Sequence, residues 1–189
     1  MNKVIFGIFL VFFKTNISFL DIGIDYSFTN LIGYILIFFG MKKLERRCEV
    51  ITKAYPAVIF MILHSIIIFL LNMTGNSPLE IPIDSYTVVL AAAGLIFVVG
   101  GMFMIFVVIS QLLIVLENEA GEHFYVKRLN VVCAAMMTVF ALAGFSYFLF
   151  QMTPGVAQFW MGILLLLKVA FIVSFYNEMI RHRERVAEQ

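Results

Sequence analysis

Lys168 stands within GILLLLKVAFIV, a run that offers no other charge, and an ammonium group in such surroundings must pair, snorkel or face a polar cavity. In a cavity it would bind an anion or neutralise an acidic partner; extended, its stem would carry the charge toward an interface about 12 Å away by helical rise. Lys14 is the second cation inside an apolar segment. Asn16 and Ser18 follow it and Asp21 and Asp25 lie just beyond, so a local ion-pair clamp is the default expectation. The sharper expectation is one outward-facing polar pocket built from Lys14, Asp21, Asp25 and Lys168, which requires the first and sixth apolar segments to be neighbours. His64, near the centre of the third segment, can hydrogen-bond across helices or to a carbonyl. It can also couple to protons, because an unperturbed imidazole titrates at about 6.5.

Other constellations carry less chemistry. LENEAGEHFYVKR carries Glu117, Glu119, Glu122 and His123, which could in principle gather a divalent cation, but a solvated helix extension or turn with alternating charge is the favoured expectation. His123 and His182 fall in connections, away from the depth of His64, and no zinc, haem, Walker or nucleophile-elbow spacing accompanies them. No cofactor or metal site is therefore expected, and no catalytic residue is assigned. Cys48 and Cys133 are isolated thiols, neither a redox motif nor a disulfide pair in a reducing compartment. Ser65, Ser110 and Ser174 occur singly in apolar runs, where local hydrogen bonding or close packing is their ordinary work.

The elements that must position these residues follow from composition. With 62% hydrophobic and 13% charged residues among 189, the chain lacks the polar surface of a soluble monomer, so its solvent is lipid. Unbroken apolar runs without barrel-type alternation point to an all-α polytopic transmembrane bundle in a single domain, 1–189. Its six segments are Val4–Leu20, Phe28–Met41, Tyr55–Met73, Tyr86–Leu116, Leu129–Phe150 and Val156–Tyr176. The first two are short, and form either full spans, if Tyr26 and Ser27 extend the second, or a tilted or re-entrant hairpin. The fourth is over-long at roughly 46 Å and must tilt, project or break, with Gly94, Gly100 and Gly101 as candidate kinks or close-contact points. The 21 phenylalanines are spread through the spans, as lipid-facing and interhelical packing requires.

Of the 13 lysines and arginines, all but Lys14 and Lys168 fall in loops or termini that an N-in, C-in arrangement puts on the cytoplasmic side. Both termini are therefore expected in the cytoplasm. The basic MKKLERRCEVITK reads as an interfacial stop and anionic-lipid anchor. Val4–Phe13 after Lys3 is expected to be a retained span rather than a cleaved signal, since no A-x-A-like site follows. The net charge of +1 averages a basic face with a nearly charge-free one and leaves no nucleic-acid footprint.

LDIGIDYSFTNLIGYILIFFGMKKL resembles a pattern in small uncharacterised multispanning membrane proteins of Gram-positive bacteria, through Asp25, Ile32–Ile37 and Gly40–Leu44. Where many of those proteins carry a proline in the turn, this chain reads IDYSFTN. The resemblance covers about the first quarter of the chain, implies a bacterial plasma membrane and carries no activity across. Three functions stay open. One is a nonenzymatic assembly or regulatory protein, as a homo-oligomer or with a membrane-protein partner through the small-residue surfaces of the fourth segment. Another is a small-solute or ion transporter or permease component using the polar residues of segments one, two and six. The third is an intramembrane enzyme.

Overall fold

In lipid, each peptide group has to find its hydrogen bond inside its own segment, and the long apolar runs are helical wherever the computed structural model describes them. The structure describes residues 2–12, 23–45, 49–79, 81, 87–120, 123–149 and 154–187. Its elements are α1 (Asn2–Phe12), α2 (Ile24–Glu45), a 3-10 helix (Glu49–Ala54), α3 (Tyr55–Met73), α4 (Val88–Ala120), α5 (His123–Leu149) and α6 (Pro154–Ala187). The helices α2 to α6 are each long and apolar enough to cross a membrane, and Lys3–Phe12 is a shorter apolar helix. The protein is thus a polytopic, all-α membrane protein.

Two open alternatives are resolved. The second segment takes the extended form through Tyr26 and Ser27: α2 gains a turn at each end and reaches 22 residues. Asp25 in its first turn and Lys42 and Lys43 in its last match the helix dipole, which is why helix persists beyond the apolar run. The over-long fourth segment neither breaks nor stops at a glycine; α4 runs unbroken for 33 residues into LENEA, beyond its spanning part, Val88–Ile114. A mid-helix glycine costs only about 1 kcal/mol relative to alanine, less than leaving peptide groups unbonded in hydrocarbon. The first segment is helical through Phe12, and its remainder to Leu20 lies outside the described residues. The Tyr55–Met73 segment is reproduced residue for residue, with Pro56 in the first turn, where its missing N–H is harmless.

Consecutive helices are neighbours, and α6 returns to touch α1. One core joins all six, from Ile8 and Phe12 through Ile37, Met61, Phe106 and Met136 to Phe171. Aromatic pairs mark the seams: Phe38–Tyr55 between α2 and α3 at 5.4 Å, Phe106–Phe140 between α4 and α5 at 5.7 Å, and Phe12–Phe171 between α1 and α6 at 5.9 Å. Apolar side chains gain nothing by leaving lipid for one another, so such contacts rest on packing and on close backbone approach.

A close backbone approach joins α1 to α2. A Cβ on Gly7 would stand 2.6 Å from the Gly33 carbonyl oxygen, and one on Gly33 would stand 2.9 Å from that of Gly7. Gly40 packs against Val4 in the same way, two turns along. A side chain at these points would meet backbone as well as the Ile37, Val11 and Val4 side chains. Gly33→Leu is expected to destabilise the bundle by about 1–3 kcal/mol through overpacking, read as a lower melting temperature in detergent. Gly162→Ala, whose Cβ meets nothing within 4 Å, should leave it unchanged.

Candidate functional site

The α6 helix has one inward stripe. Ala157, Leu164, Phe171 and Phe175 are buried along it, and Lys168 lies on the same stripe, one turn from both Leu164 and Phe171. Its ammonium does not point at open lipid; Nζ lies 5.6 Å from the centre of the Phe12 ring on α1. At that distance the negative ring face attracts the charge, and Phe12 is itself buried against Phe171. Among the described residues, no acidic side chain pairs with Lys168. The first and sixth segments are therefore in contact, as a shared pocket would require. Lys14 and Asp21, the other members of that candidate pocket, lie outside the described residues. Asp25 is exposed in the first turn of α2, where its carbonyl accepts the Thr29 hydroxyl at 2.8 Å.

His64 belongs to a different seam. Buried on α3, its Nε2 lies 3.0 Å from the Phe97 carbonyl oxygen of α4, an acceptor, so this nitrogen carries the proton and donates. The imidazole rests over Gly101 and against the Phe97 ring, with centroids 4.4 Å apart, while Phe60 flanks it at 6.2 Å. A Cβ on Gly101 would occupy the space of the imidazole ring. The two helices thus meet as a ring laid on bare backbone. Of the other glycines singled out in α4, Gly94 abuts Pro78, whereas the Cβ position of Gly100 is open.

A third polar group went unrecognised in the sequence. Tyr26, Ser27, Asn30 and Tyr34 are all buried within the first three turns of α2. Asn72 Nδ2 of α3 donates to Ser27 Oγ at 3.3 Å, and the Asn30 amide bonds Tyr26 one turn away. Among the described residues, Asn30 Oδ1 has no hydrogen-bond partner. The signal available in the sequence is the i, i+4, i+8 spacing of Tyr26, Asn30 and Tyr34.

Two of the serines turn back on their own helices: Ser65 donates to Met61 O at 2.8 Å and Ser110 to Val107 O at 2.9 Å. Cys133 is buried and free, its thiol facing the Phe106 carbonyl. Cys48 and Glu122, and the side chains of Glu117, Glu119, His123 and His182, lie outside the described residues. Among the described residues, no three His, Cys, Asp or Glu side chains converge as metal ligands. Comparison with protein-family models, curated proteins and solved structures finds no match. Function must therefore be argued from these side chains.

The α3–α4 seam makes a direct prediction. Gly101→Ala should destabilise the protein by placing a methyl group in the imidazole, and His64→Ala should destabilise it by losing the ring and its hydrogen bond. With His64→Ala already present, Gly101→Ala should be nearly neutral, giving a coupling of about 0.5–3 kcal/mol in a double-mutant cycle of unfolding in detergent. Strict additivity would mean that the two residues do not touch.

Proposed function

We propose that this protein is a nonenzymatic membrane assembly or regulatory component, whose α1–α6 seam receives a transmembrane helix carrying an aspartate or glutamate. Lys168 carries the proposal. A lysine at the middle of a span costs about 2.5–3.5 kcal/mol by insertion scales, and among the described residues the Phe12 ring face stabilises it. An acidic side chain from another chain would complete the pair and relieve its own insertion cost as well. The setting suits such a contact, because α6 is the least covered span: 17% of its spanning window is buried, against 33% in each of α3, α4 and α5. Exposed Leu165, Leu166, Val169 and Val173 flank the cation with apolar surface.

With the proposal goes a location in a bacterial plasma membrane, supported by the N-terminal resemblance. The basic residues outside the spans support cytoplasmic termini. Reporter fusions at either end that are active only outside the cytoplasm would refute that orientation.

Asn30 favours a second reading, a transporter component, because an unpartnered buried acceptor can bind a passing solute that donates a hydrogen bond. The two readings separate experimentally. Asn30→Cys, made in a Cys48→Ser, Cys133→Ser background, should stay sealed to a membrane-impermeant thiol reagent if the protein only assembles; rapid labelling from one side of the membrane would favour transport.

The test of assembly is charge. Lys168→Met should abolish a complex seen by crosslinking in native membranes while leaving the amount of folded protein unchanged, and Lys168→Arg should keep it. Lys168→Asp should be rescued by a lysine in place of the partner's acidic residue. Complexes indifferent to all three changes would remove Lys168 from the interface.

A further inference from the structure

A groove of about 880 Å³ runs between α3, α4 and α5, with Phe60, Phe97, Gly100, Phe103, Phe140 and Phe145 on its walls. Its volume lies within the roughly 300–1,000 Å³ typical of small-molecule pockets. All of its lining residues fall within spanning segments.

Its origin is in the two seams that hold α4. On one side His64 seats on Gly101 and fixes α4 to α3; on the other, Phe103 and Phe106 pack on Phe140 and fix α4 to α5. Between them stands Gly100, which has no side chain and open space where one would begin. The crevice is left because no side chain fills the gap, and its edges are pinned.

Three properties select the occupant. The walls are almost wholly apolar, so a polar solute would lose its hydrogen bonds to water and find no replacement. They are also far smaller than the roughly 800 Å² per partner that a stable protein interface buries, which disfavours a second copy or a partner helix. Along α4 the groove extends from Ile96 to Met104, about 12 Å by helical rise. That fits one leaflet, half of a hydrocarbon core of roughly 30 Å.

We infer that this groove is a binding site for one acyl chain of a bilayer phospholipid. The chain lies along Gly100 between Phe60 and Phe145, and the Phe97 and Phe103 rings flank it. Its attraction is dispersion against a preformed, close-fitting wall, since transfer from bulk lipid offers no hydrophobic gain. The site is independent of the cation at the α1–α6 seam, because it shares neither residues nor chemistry with Lys168.

The experiment uses the full chain in vesicles of phosphatidylcholine and phosphatidylglycerol, with a trace of phosphatidylglycerol carrying a diazirine on one acyl chain. After photolysis, peptide mass spectrometry should find adducts concentrated at Phe60, Phe97 and Phe145 relative to the lipid-exposed Leu166 and Val173 of α6. Gly100→Leu, which grows into open space, should lower the groove adducts roughly tenfold, the change produced by about 1.4 kcal/mol of lost affinity. The α6 adducts should be unaffected. Ala141→Phe, which fills the groove from α5, gives an independent blockade should Gly100→Leu fail to fold. Equal labelling of groove and α6, or groove labelling that survives both blocking variants, would overturn the inference. So would displacement of the acyl probe by a prenyl lipid at trace concentration, or crosslinking of the groove to a second copy in place of lipid.

Discussion

Peptide groups in hydrocarbon cannot borrow hydrogen bonds from solvent, and this constraint shapes every other part of the structure. It makes helices of the apolar runs and carries α4 through three glycines without a break. It also removes the usual force that would press the helices together, because an apolar side chain is as well solvated by lipid as by a neighbouring helix. What remains is contact: backbone on backbone where Gly7 meets Gly33, ring on backbone where His64 meets Gly101, and ring on ring at the other seams.

The polar side chains obey the same accounting. Ser65 and Ser110 use their own helix as acceptor, and Thr29 does so at the end of α2. Ser27 with Asn72, and His64 with Phe97, use a neighbouring helix and thereby set which faces meet. After these are assigned, among the described residues Asn30 Oδ1 is left without a partner, and Lys168 has an aromatic face where an ion would ordinarily be. A buried polar group that the fold leaves incompletely satisfied is where a function has physical room to act.

Most of the architecture was legible because span length and hydropathy are local properties. Tyr55–Met73 could be read directly, and α5 and α6 differ from their apolar runs by polar extensions that remain helical past the hydrocarbon. The extension of α2 through Asp25, Tyr26 and Ser27 was harder to see, since hydropathy falls there while helix-dipole pairing and helix-to-helix bonds take over. That His64 and Lys168 need a contact could be read from their cost in lipid. Their partners could not, because Phe97 and Phe12 are chosen by helix adjacency, which leaves no mark on either segment alone. The groove was illegible for a related reason: a glycine that leaves a gap and one that admits a neighbour, Gly100 and Gly101, are adjacent and identical in sequence.

The cation and the groove stand on different seams, and their physics differs in kind. A partner drawn to Lys168 must bring an acidic group into hydrocarbon, so both chains are poorly accommodated apart and improved together; selectivity comes from the penalty on any partner lacking the charge. A chain in the groove brings no charge and is accommodated almost as well outside, so its selectivity can come only from shape. The helix α5 lies between the two, packing α4 on one side and α6 on the other. Its buried line through Leu129, Cys133, Met136 and Phe140 is part of the common core, so any coupling between lipid occupancy and partner binding would have to shift that line. Close-packed side chains resist gradual deformation, and a lipid that merely fills a preformed gap supplies little force to move them. Independent action of the two seams is therefore the simplest consequence of the way this core is packed.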